Sequence, residues 1–296
     1  MGALMPPFLM IKNKKISQLV CLTIYLISFY ISFLLTPESI SNVWLKITIW
    51  HLYATVFIYI GSVILKNSSL YDPFWSVAPV PIAIYLATQY QNSAILKALV
   101  LVPIIFWALR LTRNWIISWR GFEHEDFRYI DLKNTNKFKA EFNNFFGIHL
   151  FPTLIVNLGL FPLLFILTNS ISVNIYLYLA SIFTFLAVVL ETVADEQMRE
   201  FRSNPLNTGK TMKYKLWKFS RHPNYLGEIL FWYGIFFMGL SSGLMPYWTL
   251  ICPTAMLALF VLASCPMMDE RSLKNRSDYK EYMEKTSMLL LLPPKN

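Results

Sequence analysis

Residues 174–202 read NIYLYLASIFTFLAVVLETVADEQMREFR, an apolar run that passes directly into a charged segment. The run reaches Leu190 without a charged residue, and it approaches the roughly 20 residues that an α-helix needs to cross the hydrocarbon core of a membrane. Charged residues then recur at intervals of three or four, which aligns them on one face of a helix: Glu191, Asp195, Arg199 and Arg202. The stretch predicts a membrane helix that continues past the apolar core with a charged face.

The composition of the whole chain also indicates a membrane protein. Of its 296 residues, 55% are hydrophobic and only 15% are charged, which excludes an ordinary soluble domain. We predict an all-α, polytopic helical bundle with about eight membrane spans. The apolar windows are Ile16–Leu35, Trp44–Leu65, Phe74–Thr88, Ala94–Leu109, Ile148–Thr168, Asn174–Leu190, Leu226–Leu240 and Tyr247–Ala263.

The distribution of positive charge predicts the orientation. The lysines and arginines concentrate near the N-terminus and in residues 110–139, 199–221 and 271–295, and none lies in the short links 89–91 and 169–172. Because cytoplasmic loops are enriched in Lys and Arg, both termini are predicted to be cytoplasmic, in a bacterial inner membrane or an endoplasmic reticulum. Anionic lipid beside those loops accounts for the net charge of +9 without a nucleic-acid partner.

A polar, aromatic-rich segment follows the fourth apolar window. We interpret it as containing an interfacial amphipathic helix, with Trp115, Trp119 and Phe122 toward the lipid. It begins with Arg110 and Asn114 in the string RLTRN. Arginines at this position also satisfy the positive-inside rule, so composition alone does not assign them a binding role.

The string KFSRHPNYLGE leads into the seventh window and is unusually polar for the start of a membrane helix. Pro223 suits the first turn of a helix, where its missing N–H has no cost, and it makes the preceding residue extended. The positive end of the helix dipole then lies beside Arg221 and His222, an arrangement that favours anions. Asn224 and Glu228 lie one turn apart, and a carboxylate in lipid is costly unless something polar contacts it.

Two interpretations of the charged face of the sixth window stay open. Asp195 and Arg199 have the spacing of an ion pair along a helix. Alternatively Arg199 and Arg202 are available to bind phosphate, which arginine does through paired hydrogen bonds. Asp72, in the string YDPFWS, is likewise either a cap for the following helix or a functional carboxylate.

Several common sites are absent from the sequence. There is no phosphate-binding glycine-rich loop, no H-E-x-x-H motif and no G-x-S-x-G motif. The four histidines are too dispersed to predict a metal site, and the three cysteines form neither a disulfide framework nor a C-x-x-C pair. A bound nucleotide would therefore have to lie among membrane helices and their loops.

Three elements in order resemble the C-terminal domain of the steroid 5-alpha-reductase superfamily: ETVADEQMREF, LWKFSRHPNYLGE and the E-x-x-L...Y-x-x-Y pattern of the charged tail, formed by Glu270, Leu273, Tyr279 and Tyr282. The similarity is greatest to the large microbial branch of that superfamily, which also carries D-x-x-W-S, R-L-x-x-N and E-D-x-R-Y elements. Here those elements are Asp72–Ser76, Arg110–Asn114 and Glu125–Tyr129, and the resemblance covers about residues 72–293. It divides the chain into N-terminal membrane helices (1–65) and a reductase-like membrane domain (66–296).

The resemblance implies a membrane-embedded, NADPH-dependent reductase that acts on a carbon–carbon double bond of a lipophilic substrate. Asp72 matches a glutamate that polarises the substrate carbonyl in the steroid enzymes, and Glu228 braces the site, so both are implied catalytic residues. The steroid enzymes pair that acid with a tyrosine, for which this sequence shows no counterpart, since Trp107 or Arg110 stands in that region. The residues implied to bind NADPH are Arg110, Asn114, Asp195, Arg199, Arg202, Arg221, His222, Asn224, Tyr225, Glu270 and Arg271.

Two alternatives remain. Isoprenylcysteine carboxyl methyltransferases and related lipid methyltransferases have a similar R-H-P-x-Y-x-G element, and there the cofactor is S-adenosylmethionine. The E-T-x-A-D-x-Q element favours the reductase branch over these. The third possibility is a lipid-binding membrane protein without catalytic activity, against which the concentration of polar residues at one group of loops argues.

Overall fold

The computed structural model describes residues 13–295. Residues 1–12 of the predicted N-terminal segment (1–65) and residue 296 of the predicted reductase-like domain (66–296) lie outside the described residues. The described residues form helices joined by turns and loops, with no β-strand among them. An all-α protein is therefore confirmed. Within residues 13–295, helical stretches long and apolar enough to cross a membrane number 6: Lys14–Leu35, Val43–Leu65, Ala94–Ser118, Lys137–Leu167, Ile175–Ser203 and Tyr247–Asn275.

Each of these stretches contains or overlaps one of the predicted windows, and the protein is an integral membrane protein by their length and composition. The windows Phe74–Thr88 and Leu226–Leu240 are not among them. The first is interrupted before Pro79 and forms two short helices. The second lies within the helix Pro223–Leu240, whose polar first turns lower its mean hydropathy. A count of eight spans and the cytoplasmic placement of the termini stay predictions.

The described chain packs as two units, and each is described by itself. Unit 1 comprises residues 13–88 and Trp107–Phe161, and unit 2 comprises Gln89–Phe106 and 162–295. The functional division at residue 66 does not follow these units and stays a prediction. Unit 1 contains α1 (Lys14–Leu35), α2 (Val43–Leu65), α3 (Phe74–Val77), α4 (Pro79–Thr88), the second part of α5 (Ala94–Ser118), α6 (Phe127–Lys133), α7 (Lys137–Phe142), a π-helix (Asn143–Leu150) and α8 (Phe151–Leu160).

The core of unit 1 contains part of the aromatic segment that the sequence placed toward lipid. Trp119 is buried, and its ring stacks on that of Trp115 with the centroids 4.7 Å apart. Trp115 and Phe122 are partly buried against the same core. The prediction of a lipid-facing surface for these three residues is wrong, because the segment after α5 turns back at Gly121, where φ is +98°, and packs on α1.

A seam of polar side chains joins α2 to the last helix of unit 1. On α8, Thr153 contacts the hydroxyl of Thr55 at 3.0 Å and that of Tyr71 at 2.9 Å. One end of the seam is a hydrogen bond from Thr48 to the Oδ1 of Asn157 at 3.2 Å. Polar groups inside a membrane are expensive unless they contact one another, so the seam fixes how α2 and α8 pack.

Unit 2 is built around two helices that cross closely. Its helices, besides the first part of α5, are α9 (Pro162–Leu167), α10 (Ile175–Ser203), α11 (Pro223–Leu240), α12 (Ile251–Leu259), a π-helix (Phe260–Ser264), α13 (Cys265–Asn275) and α14 (Tyr279–Lys285). Glycines make the crossing of α10 and α11 possible. A Cβ added to Gly227 would lie 2.7 Å from the Cβ of Glu191, and one added to Gly234 would lie 2.1 Å from the hydroxyl of Thr184. The charged end of α10 therefore lies directly against the start of α11.

Candidate functional site

The start of α11 contacts the charged end of α10 through one specific pair. The amide Nδ2 of Asn224 donates to the carboxylate Oδ1 of Asp195 at 3.1 Å. Arg199 pairs with Glu196, one turn earlier on α10. The described contacts thus join Asp195 and Arg199 to different partners and not to each other, although their helical spacing had allowed such a pair. The Asp195–Asn224 bond joins two residues that the resemblance implicated, from two different helices.

Tyr225 and Arg202 lie close to this pair. The charge of Arg202 interacts with that of Asp195 and with the phenol of Tyr225. The ring of Tyr225 stacks on the imidazole of His222 with the centroids 5.3 Å apart and the planes 9° from parallel. Carboxylate, amide, phenol and guanidinium groups are therefore gathered at the crossing of α10 and α11, which is a donor and acceptor set suited to the sugar, amide and phosphate groups of a nucleotide.

Glu228 is buried one turn further along α11, with 2% of its surface exposed. Its Oε1 accepts a hydrogen bond of 2.8 Å from the indole nitrogen of Trp232, one turn later on the same helix. Glu191, on the facing side of α10, is also buried. These two carboxyl groups lie on the two helices that the glycines bring together. The role of Glu228 in bracing the cofactor site, which the resemblance implied, stays a prediction.

Arg221 and His222 face a buried carboxylate on α13. The Oδ2 of Asp269 accepts a hydrogen bond of 2.9 Å from the Nη2 of Arg221, and its Oδ1 is 2.9 Å from the Nε2 of His222. The hydroxyl of Tyr279 donates a further, short hydrogen bond to Oδ1. The side chains of Arg221 and His222 are thus directed to the protein's own Asp269, where the sequence had predicted contacts to a cofactor.

The same Arg221 holds the C-terminal segment. Its Nη1 donates to the carbonyl of Met283 at 2.7 Å and to that of Thr286 at 3.0 Å, which satisfies carbonyls at the end of α14. Its backbone N–H donates to the carbonyl of Ser287 at 2.9 Å. The loop before α11 is therefore tied to the tail by both the main chain and the side chain of one residue.

Tyrosine and serine side chains extend this attachment. Tyr282 donates to the carbonyl of Trp217 at 2.5 Å, and Ser220 donates to the carbonyl of Leu289 at 2.8 Å. The indole of Trp217 in turn donates to the carbonyl of Ala194 on α10 at 3.0 Å. Sequence reasoning missed Asp269 and these partners, although the tail had been singled out for its tyrosines.

Glu270 and Arg271, implied to close the site from the tail, follow Asp269 on α13. Glu270 is exposed and pairs with Lys274 one turn later at 2.7 Å. Arg271 is exposed, and its charge interacts with that of Arg202. Of the two, Arg271 is therefore the one that the structure places near the end of α10.

In unit 1, Asp72 has a tyrosine partner that the sequence did not reveal. The hydroxyl of Tyr129, on α6, donates a hydrogen bond of 2.5 Å to the carboxylate Oδ1 of Asp72. The expectation that this acid lacks a tyrosine is wrong, because the phenol comes from a later segment than the one in which a counterpart was sought. The E-D-x-R-Y string was the signal that contained it.

The loop before α6 is anchored on the turn that carries Asp72. The backbone N–H of Asp126 donates to the hydroxyl of Ser69 at 2.8 Å, and the carboxylate of Asp126 holds Arg128 through two hydrogen bonds of 2.8 and 3.1 Å. Burial raises the pKa of Asp72 to about 6, although the charge of Arg128 and the hydrogen bond from Tyr129 both lower it.

Arg110 and Asn114 lie one turn apart on the part of α5 that belongs to unit 1. Arg110 is buried, and the backbone carbonyl of Asn114 accepts a hydrogen bond of 2.7 Å from Ser118. Their role in cofactor binding stays a prediction. Within residues 13–295, no group of three His, Cys, Asp or Glu side chains is arranged to hold a metal ion.

Comparison with known proteins gives the family. A family model described as "Protein of unknown function (DUF1295)" matches residues 56–286. The chain belongs to the DUF1295 family. The matched range contains Asp72 and Tyr129 of unit 1 and the Asp195–Asn224 pair of unit 2.

The chain is also similar to a curated protein. The DUF1295 chain is 24% identical over 251 residues to the "Uncharacterized protein C594.04c" of Schizosaccharomyces pombe, an alignment that covers 76% of this chain and 72% of the relative. No solved structure matches the chain.

Proposed function

We propose that this DUF1295 protein is a membrane-embedded, NADPH-dependent reductase of a carbon–carbon double bond in a lipophilic substrate, such as an enone, sterol or isoprenoid lipid. The motif resemblance to the steroid 5-alpha-reductase superfamily supplies the reaction class. The Asp195–Asn224 pair, with Tyr225 and Arg202 nearby, offers hydrogen-bonding groups and positive charge that fit a phosphorylated dinucleotide.

The observation that carries the proposal is the hydrogen bond between Tyr129 and Asp72. Reduction of an enone places negative charge on the carbonyl oxygen, which a neutral acid stabilises by donating a hydrogen bond. A carboxyl group whose pKa is about 6 retains a proton in part of the molecules near neutral pH. Methyl transfer has no need of such an acid, so the pair favours reduction.

The two residues have separate roles in this reaction. With the hydroxyl of Tyr129 donated to Oδ1 of Asp72, the other oxygen of a protonated Asp72 is left to donate to the substrate. Tyr129 thereby orients the carboxyl group, and Asp72 holds the proton at the substrate oxygen. The dinucleotide, when bound, supplies the hydride for the electron-poor carbon.

The cofactor assignment places Asp195, Asn224, Tyr225 and Arg202 in contact with NADPH. Glu228 and Glu191 are buried where α10 and α11 cross, and we assign them a structural role in holding the two helices together. The S-adenosylmethionine-dependent methyltransferase and the non-catalytic lipid-binding protein are the competing functions, and cofactor binding separates all three. The location of the reaction, in a bacterial inner membrane or an endoplasmic reticulum, is part of the proposal.

The deciding experiment titrates NADPH, NADH and S-adenosylmethionine into the detergent-purified protein and follows the fluorescence of its tryptophans. We expect saturable NADPH binding, weakened by Asn224→Ala and by Arg202→Ala in protein that remains folded. Asp72→Asn should bind NADPH normally and slow the turnover of enone lipids. Saturation by S-adenosylmethionine alone would replace the proposal by methyl transfer, and binding of none of the three would exclude both enzymes.

A further inference from the structure

A cleft of about 190 Å³ opens within unit 2 beside the end of α10. Its polar walls are formed by Arg202, by residues of the loop after α10 and by Arg276 at the end of α13; the loop residues are Asn207, Thr208, Gly209 and Lys210. The volume is several times the roughly 30 Å³ that one water molecule takes up in the liquid. The cleft is therefore large enough for a small polyatomic ion or for one group of a larger ligand.

Three cations line this cleft: Arg202, Lys210 and Arg276. Within the described part of the chain, the side chains of Arg202, Lys210 and Arg276 form neither an ion pair nor a hydrogen bond. Arg202 and Arg276 are close enough for their like charges to interact. Like charges held together are unfavourable unless an anion lies between them.

The carboxylates near this loop form ion pairs with other lysines. Lys213 pairs with Asp278 at 3.1 Å, and Lys215 pairs with Glu200 at 2.7 Å. Asp278 is bound further by the hydroxyl of Thr211 at 2.6 Å. The cations of the cleft therefore differ from these neighbouring lysines, whose charges are balanced by carboxylates.

The loop keeps Lys210 at the cleft. Asn207 anchors it by donating from Nδ2 to the carbonyl of Phe201 at 2.8 Å, and the N–H of Lys210 returns to the carbonyl of Asn207 at 3.0 Å. Gly209 lies between them with φ of +75°, a backbone conformation that glycine adopts without strain. Asn207, four residues after the end of α10, thus ties the loop back to that helix.

We propose that this cleft binds the 2′-phosphate of NADPH and makes the protein select the phosphorylated dinucleotide. The inference rests on the proposed function. A phosphate monoester carries a charge of about −1.5 to −2 near neutral pH, and arginine binds it through paired hydrogen bonds. Arg202 also interacts with Asp195 and Tyr225, so the cleft adjoins the residues assigned to the rest of the cofactor.

Other phosphates have the same chemistry, and the test separates them. A phosphatidylglycerol headgroup is a phosphodiester, and inorganic phosphate is free in solution. The full-length protein is therefore placed in nanodiscs of phosphatidylcholine, with and without phosphatidylglycerol. Dissociation constants for NADPH and NADH are measured by tryptophan fluorescence, with 2′,5′-ADP, 5′-AMP and inorganic phosphate as competitors.

We expect NADPH to bind at least about tenfold more tightly than NADH, since each charge-assisted contact that is lost costs this much or more. Lys210→Gln and Arg276→Gln should each weaken NADPH binding about tenfold and leave NADH binding unchanged. Lys274→Gln, on α13 and paired with Glu270, is the matched control and should change neither. In the wild type, 2′,5′-ADP should compete and 5′-AMP should not.

Three results would overturn the assignment. If NADPH binds but both variants bind it like the wild type, or lose NADPH and NADH equally, the cleft is not the phosphate site and the reductase proposal stands. If neither dinucleotide binds, the proposed function fails together with the cleft's role in it. If inorganic phosphate or phosphatidylglycerol alone changes the wild-type fluorescence, and Arg276→Gln abolishes that change while NADPH binding is retained, the cleft binds phosphate from that other source.

Discussion

The hydroxyl of Tyr129 donates a hydrogen bond to the carboxylate Oδ1 of Asp72 at 2.5 Å, although 57 residues separate the two in the sequence. The bond joins the start of α6 to the turn before α3. Because a phenol can donate to the charged and to the neutral carboxyl group, the pair persists when Asp72 takes up a proton. Tyr129 therefore keeps the carboxyl group of Asp72 in one position in both of its protonation states.

Replacing Tyr129 by phenylalanine should raise the pKa of Asp72 above about 6, since the hydrogen bond stabilises the charged carboxylate and therefore lowers this pKa. The infrared absorbance of protonated carboxyl groups, followed through a pH titration, measures the change. The band that disappears in Asp72→Asn identifies the residue. In Tyr129→Phe that band should remain at a higher pH than in the wild type.

The matched control for this titration is Tyr59→Phe, which removes a phenol that donates to Glu141 at 3.2 Å and should leave the Asp72 band in place. An unchanged midpoint in Tyr129→Phe would contradict the assigned bond. In the reaction, turnover that needs protonated Asp72 should fall as the pH rises through about 6. The decline should occur at a higher pH in Tyr129→Phe if that variant retains activity.

A substitution at Arg221 distinguishes a structural role for this residue from a role in cofactor binding. If Arg221 holds the C-terminal segment and Asp269, Arg221→Gln should lower the midpoint of thermal unfolding and leave the NADPH affinity of the folded protein near that of the wild type. Loss of one partner from a buried ion pair typically costs about 3–5 kcal/mol. Lower NADPH affinity with unchanged unfolding would support the cofactor role that the resemblance implied.

Asp269→Ala should destabilise the protein in the same way, since it leaves Arg221 and His222 without their shared carboxylate. Glu270→Ala, one residue later, is the control: this exposed carboxylate pairs only with Lys274 among the contacts described, and its loss should leave unfolding unchanged. Equal effects of the two substitutions would argue against Asp269 as the residue that secures the tail.

The sequence was sufficient for those features that local chemistry determines. Pro223 begins α11, as its suitability for the first turn predicted. The continuous helix from Ile175 to Ser203 follows from the apolar run and the helical spacing of its charges. In both cases the deciding signal lies within a few turns of the residue concerned.

Features that depend on distant residues were missed. Tyr129, which binds Asp72, lies 57 residues later in the chain. The spacing of residues in the sequence does not show that two such distant segments lie next to each other. The window around Trp119 reads as amphipathic, but this side chain is buried in the core of unit 1, because the turn at Gly121 reverses the chain and packs it on α1. Asp269, one of several charges in the polar tail, is buried because Arg221 and His222 reach it from another loop.

The close crossing of α10 and α11 gives another prediction. Gly227→Ala should destabilise the protein by about 1–3 kcal/mol, because the new methyl group would lie 2.7 Å from the Cβ of Glu191 and 2.9 Å from the backbone of α10. Gly147→Ala is the control, since no atom lies within 4 Å of its added Cβ. Thermal unfolding in detergent measures both. A Gly227→Ala variant as stable as Gly147→Ala would show that the helices separate at no cost, and would weaken the case that Glu228 braces the site.

The polar seam of unit 1 is tested by a double-mutant cycle between Tyr71 and Thr153, whose hydroxyls lie 2.9 Å apart. Thr153→Val leaves the buried phenol of Tyr71 without this partner, and it should cost about 0.5–1.5 kcal/mol. Once Tyr71→Phe has removed the phenol, the same substitution should cost clearly less, because the coupling between the two is lost. Thr192→Val, which removes only a bond to the carbonyl of Val188 within α10, should show no coupling to Tyr71→Phe. Strictly additive effects of Tyr71→Phe and Thr153→Val would mean that the seam is held by helix packing and not by its hydroxyl groups.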